Sequence, residues 1–131
     1  DDVQSSGASD LVLNNIINEK LHIETSGAGS VKASVKTGKL TVETSGAGNV
    51  LLSGNADTFS VETSGAAEIK ARDLKTKSAR IDVSGAGDVE LSVSEELNVS
   101  VSGAGDIRYY GSPKTVSKEV SGAGSVTKKG E

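Results

Sequence analysis

The chain has 131 residues with one Phe, two Tyr and no Trp, Met or Cys, so Val, Leu, Ile and Ala must fill the interior of what its length makes a single domain. Its formal net charge of −4 is spread over interspersed acids and bases, leaving no basic block for nucleic acid, and no apolar run approaches the ~20 residues of a membrane-spanning helix. Without cysteine there are no disulfides or thiolate sites, and frequent Val, Ile and Thr at period two argue against a disordered chain.

Residues 1–5, DDVQS, align with the tail of a repeat: Val3 with Ile23, Gln4 with Glu24, Ser5 with Thr25. The chain is therefore expected to begin in mid-turn, as a piece of a longer protein truncated at its N-terminus. Ser6 then opens the first of seven Ser-Gly-Ala motifs; the others begin at Ser26, Ser45, Ser64, Ser84, Ser102 and Ser121. Their intervals are 20, 19, 19, 20, 18 and 19 residues, the period of a solenoid whose turns bury their apolar faces only against one another.

Within each turn, the first predicted strand follows the motif. Its sixth position reads Leu11, Val31, Val50, Ile69, Val89, Ile107 and Val126, and two residues later come Leu13, Ala33, Leu52, Ala71, Leu91 and Tyr109. The alternation continues through SVK (34–36) and LSVS (91–94), which predicts a further strand in the middle of the turn. A tail strand closes each turn, as in LHIET (21–25), LTVET (40–44), FSVET (59–63), ARIDV (79–83), LNVSV (97–101) and VSKEV (116–120). Alternation of this kind marks half-buried strands.

These elements predict an all-β fold, a right-handed single-stranded parallel β-helix of about 19 residues per turn, with six full turns and partial terminal turns in one domain over residues 1–131. A left-handed hexapeptide helix needs an aliphatic residue at every sixth position, and Thr37 and Glu43 break that rule counting from Val31. The Ser-Gly-Ala motif is the corner, where identical bends stacked on one another leave little room for Cβ atoms. Gly29, Gly48, Gly87, Gly105 and Gly124 hold a second glycine position, and Ser9 and Ala67 show that a very small side chain is accepted there. At the far end, Lys128 falls in an inward column and reads as a terminator, while Tyr109 and Tyr110 are expected to lid the core.

The copies SGAGDV (84–89) and SGAGDI (102–107), with the ending SGAGSVTKKG (121–130), resemble the head GIN domain family of autotransporter adhesins. The resemblance spans Ser6 to Gly130. It implies a right-handed parallel β-helix, an extracytoplasmic setting in bacteria of the Bacteroidetes type and an adhesin-like role, and it brings no catalytic or binding motif. It departs at the start, where family members carry further strands before the repeats.

Two polar columns carry the chemistry. One outward tail-strand position reads Glu24, Glu43, Glu62, Asp82, Ser100 and Glu119, four consecutive acids expected at ~4.8 Å spacing, which repel by about 1 kcal/mol per pair even in water. Solvation with Arg80, Lys36, Lys39, Lys75 and Lys77 is the expected offset; Ca²⁺ is the alternative, though a straight ladder on a convex face converges few of the six to eight oxygens that ion takes. The second column, just after the corner, reads Asp10, Ser30, Asn49, Glu68, Asp88, Asp106 and Ser125. It is expected to cap the corner through short polar side chains. No metal is expected there, with Glu68, Asp88 and Asp106 the residues a Ca²⁺ would use.

Enzyme motifs are missing. The lone histidine, His22, shares a strand face with Glu24 and reads as surface; nothing singles out one corner serine as a nucleophile, and Walker and dinucleotide glycine patterns are absent. The expected function is a non-enzymatic cell-surface or periplasmic module, adhesin-like or a cell-envelope scaffold. Its expected contact face for a glycan or envelope component is Glu24, Glu43, Glu62 and Asp82 with Thr41 and Ser60. No cofactor is expected. The alternatives are a polysaccharide-active enzyme using carboxylates such as Asp88 and Asp106, and a structural module that self-associates through an open end or a sheet face.

Overall fold

The computed structural model describes the backbone of residues 2–6, 10–27, 29–111 and 113–130, and the side chains from Asp10 to Thr127 except Leu11, Asn15, Ile16, Asn18, Ala28 and Ser112. The side chains of Val3, Ser9, Leu11 and Lys128, about which the sequence made statements, lie outside the described set. Among the described residues, nine strands form one parallel sheet: β1 (Asp2–Ser6), β2 (Asp10–Gly27), β3 (Ser30–Gly46), β4 (Asn49–Gly65), β5 (Glu68–Gly85), β6 (Asp88–Gly103), β7 (Asp106–Tyr110), β8 (Thr115–Gly122) and β9 (Ser125–Gly130). Each of β2 to β6 is a full turn. Strands β7 and β8 share the sixth turn; both pair with β6, and β9 pairs with β7. The chain is a parallel β-solenoid of about six turns and about 19 residues per turn.

The turns are more continuous than the alternation suggested. Strands β2 to β6 run 16 to 18 residues, about three times an ordinary strand, because ladder pairing persists around the bends. The bends show as slips in side-chain direction. In β3 the buried residues are Val31, Ala33, Val35 and Thr37, then Leu40, Val42 and Thr44, so two successive residues, Gly38 and Lys39, turn away from the core. The middle strand anticipated from SVK is thus a continuation of the first straight stretch. In the sixth turn the ladder breaks between Tyr110 and Thr115, where the sole proline, Pro113, has no N–H to contribute.

Inward residues at matching places stack into columns. Val31, Val50, Ile69, Val89 and Ile107 are register partners in sequence, each at most 2 % exposed. A second column, Leu21, Leu40, Phe59, Ala79 and Leu97, sets the largest side chain against one of the smallest. A third runs Ile23, Val42, Val61, Ile81 and Val99. Burial of this aliphatic spine is what holds one turn to the next, since each buried side chain of this kind contributes about 1.5–3 kcal/mol. The partial first strand follows the same register, Val3 on Ile23 and Gln4 on Glu24.

At the corner the first glycine of the motif takes a backbone conformation that L side chains avoid: φ is +95° at Gly46 and +96° at Gly65. A Cβ on Gly65 would stand 2.7 Å from the carbonyl oxygen of Gly46. The second glycine position is less strict. A Cβ on Gly48 would approach the Gly29 carbonyl oxygen at 3.0 Å, and Ala67 fills the same place one turn on, buried. Corners are tied turn to turn by main-chain bonds, with the Ala66 N–H donating to the Gly46 oxygen at 2.9 Å and the Glu68 N–H to the Gly48 oxygen at 2.8 Å.

Candidate functional site

The tail strands end each turn just before the corner, and their period of two sends alternate side chains outward. Parallel pairing without a shift then lines like residues up: Glu24 on Glu43, Glu43 on Glu62, Glu62 on Asp82, Asp82 on Ser100, Ser100 on Glu119. The neighbouring outward column is His22, Thr41, Ser60, Arg80, Asn98 and Ser117. All six residues expected to form a contact face, Glu24, Glu43, Glu62, Asp82, Thr41 and Ser60, therefore lie together on one ribbon of surface. Glu24 and Glu62 are exposed, and Glu43, Asp82, Thr41 and Ser60 are half-buried.

Two open grooves follow this ribbon. One, about 240 Å³, lies between Glu24, Glu43 and Glu62 and the corner serines Ser26, Ser45 and Ser64. The other, about 380 Å³, lies farther along between Arg80, Asp82, Asn98 and Glu119. Neither is a deep cleft.

Charge compensation on the ribbon is not what composition suggested. Among the described residues, Lys36, Lys39, Lys75, Lys77 and Arg80 form no ion pair with the acidic column; Lys77 faces Asp57 at 3.9 Å instead. The partner that reaches the column is His22, whose Nε2 stands 3.0 Å from Oε2 of Glu43. His22 shares its strand face with Glu24, as the sequence indicated, yet its bond crosses to the next turn. Register explains the crossing: Glu24 lies opposite Glu43, so Glu43 sits diagonally from His22. One donor atom each from His22, Glu24 and Glu43 falls within 4.8 Å of the others.

The post-corner column is also in register, Glu68 on Asp88 and Asp88 on Asp106. Two of its carboxylates have separate partners. Lys70 reaches Glu68 at 3.1 Å, and the Ser125 hydroxyl donates to Oδ1 of Asp106 at 2.9 Å. Among the described residues Glu68, Asp88 and Asp106 form no three-ligand cluster. This column borders an open trough of about 630 Å³ floored by Ala47, Ala66, Ala86 and Ala104.

The two tyrosines part company. Tyr109 is 7 % exposed and closes the core column above Leu91, the lid the sequence suggested. Tyr110 points outward and lids nothing; its ring lies beneath the Arg72 guanidinium, 4.8 Å from centroid to Cζ. It borders a groove of about 550 Å³ with Val93, Lys75 and Asn55, which no motif in the sequence marked.

Comparison with solved structures places this geometry. A "putative adhesin" of Bacteroides fragilis superposes with a TM-score of 0.85 at 28% identity, over 90% of this chain and 56% of that one. A "putative adhesin" of Parabacteroides merdae gives 0.87 at 23% identity, over 98% and 57%. A "putative lipid binding protein" of Parabacteroides distasonis gives 0.84 at 22% identity, over 98% and 61%. The chain thus spans somewhat more than half the length of these structures. None of these names is an enzyme's. No curated protein matches the chain by sequence. The family model "Putative auto-transporter adhesin, head GIN domain" matches residues 1–113, and the chain belongs to that family.

Proposed function

We propose that the chain is a non-enzymatic, exported module of the bacterial cell envelope, displayed at the surface or in the periplasm, which makes adhesive contact through the tail-strand ribbon. One observation carries this reading: four carboxylates, Glu24, Glu43, Glu62 and Asp82, repeat once per turn beside the Thr41 and Ser60 hydroxyls on one outward face. Carboxylate oxygens are strong acceptors, and sugar hydroxyls are donors at similarly short intervals, so a neutral glycan strand laid along the ribbon finds an acceptor at each turn. The adhesin names of the family and of two structural relatives agree with that use. Open grooves suit a ligand held along a surface; an enzyme acting on polysaccharide needs two carboxylates flanking a bound bond within a shaped site.

The test is a glycan array probed with the chain and with a Glu43→Lys/Glu62→Lys double variant. Binding by the parent that the variant loses supports the ribbon as the contact; an identical binding profile in a folded variant removes it.

A further inference from the structure

We propose that His22, Glu24 and Glu43 form a binding site for a divalent ion of the Zn²⁺ type. His22 and Glu24 are two residues apart on β2, and Glu43 is the register partner of Glu24 on β3, so three donors converge from two strands whose main chains are locked together. The three ligand atoms lie within 4.8 Å of one another, and the imidazole Nε2 and Oε2 of Glu43 are 3.0 Å apart. Donors bound to one tetrahedral Zn²⁺ at about 2.0–2.1 Å lie roughly 3.3 Å from each other. The His22–Glu43 pair, hydrogen-bonded at 3.0 Å, is within a few tenths of an ångström of that spacing. The Glu24 donor, within 4.8 Å of the other two, would close in as the third ligand, with water completing the shell as in sites with three protein ligands.

Two further features point to this turn and to this class of ion. Glu24 and Glu43 stand opposite each other in the acidic column, and the basic side chain that reaches Glu43 is His22. Farther along, the place of the imidazole is taken by Thr41, Ser60 and then Arg80, so no other turn offers a nitrogen ligand and the fourth offers a repelling cation. Donor chemistry excludes Ca²⁺ as the preferred ion, because it wants six to eight oxygens, whereas one imidazole and two carboxylates suit Zn²⁺ and its neighbours. The side chains of His22 and Glu43 are 34% and 42% exposed, open enough for an ion to enter without unfolding.

The inference stands independently of the glycan reading, and its experiment uses the ion alone. The 131-residue chain is titrated calorimetrically with ZnCl₂, and in parallel with CaCl₂, in a non-chelating buffer, with circular dichroism to verify that each variant keeps the β fold. One saturable Zn²⁺ equivalent is expected. Affinity should fall at least ~10-fold in His22→Ala and in Glu43→Gln, and stay unchanged in Glu68→Gln on another face. No saturable Zn²⁺ binding, equal affinity in His22→Ala, or Ca²⁺ bound as tightly as Zn²⁺ each overturns the assignment.

Discussion

Thr63 and Val83 are register partners in one inward column, nearly equal in shape, and both 2 % exposed. The column reads Thr25, Thr44, Thr63, Val83 and Val101, so the solenoid changes from hydroxyl to methyl midway along its length. The Oγ1 atoms of Thr44 and Thr63 are buried with no hydrogen-bond partner. A buried hydroxyl left unpaired costs about 1–3 kcal/mol, and valine already occupies the equivalent place in later turns without distortion. Thr63→Val should therefore stabilise the fold by about 1 kcal/mol in urea denaturation. A loss of stability would show that the hydroxyl is satisfied in solution.

Phe59 fills its column beside Ala79 and is fully buried. Removing it leaves a hole that the hydrogen-bonded ladder on either side resists closing. Phe59→Ala is expected to cost about 3–5 kcal/mol, and Phe59→Leu, the residue found at positions 21 and 40, much less. Equal losses from the two variants, read from their denaturation midpoints, would mean that shape at this column does not matter.

The two glycine positions of the corner should respond differently to alanine. Gly65 has φ +96° and its Cβ would stand 2.7 Å from the Gly46 carbonyl oxygen, whereas Gly48 has ordinary φ and its counterpart one turn on is already Ala67. Gly65→Ala is expected to lose more than about 2 kcal/mol through backbone strain and displacement of the neighbouring turn, and Gly48→Ala to lose less. The ranking is checked by thermal melts of the two variants side by side; a reversed order refutes the account of the corner.

Glu62 sits between Glu43 and Asp82 in the acidic column, and no ion pair reaches it among the described residues. Like charges on adjacent strands destabilise a sheet, and exposed charges are screened by salt. Glu62→Gln should thus raise stability by about 0.5–1 kcal/mol at low ionic strength, with the gain shrinking toward zero near 1 M NaCl. A gain that persists in high salt points to packing instead of charge.

Much of this was legible because parallel stacking converts periodicity directly into register. Glu24, Glu43 and Glu62 fall opposite one another since the spacing between their corners equals the length of the turn, and β3 pairs β4 with no shift at all. Where the intervals differ, the ladder slips: between Leu13 and Ile16, between Leu51 and Ser53, and twice in the pairing of β5 with β6. Unequal intervals of 20, 19, 20 and 18 residues already demanded such slips, but their places follow from tertiary packing. Corners cannot absorb an extra residue, because their glycines fit against the main chain one turn away.

What the sequence determined by itself was the column: which residues point inward, which outward, and which repeat in register, all consequences of a local period of two inside a fixed turn. What only the tertiary structure decided was pairing across columns. His22 meets Glu43 instead of Glu24, Tyr110 turns outward under Arg72 while Tyr109 closes the core, and Lys77 turns to Asp57. Such contacts depend on the side-chain rotamers and on where each turn bends, and neither repeats with the backbone period.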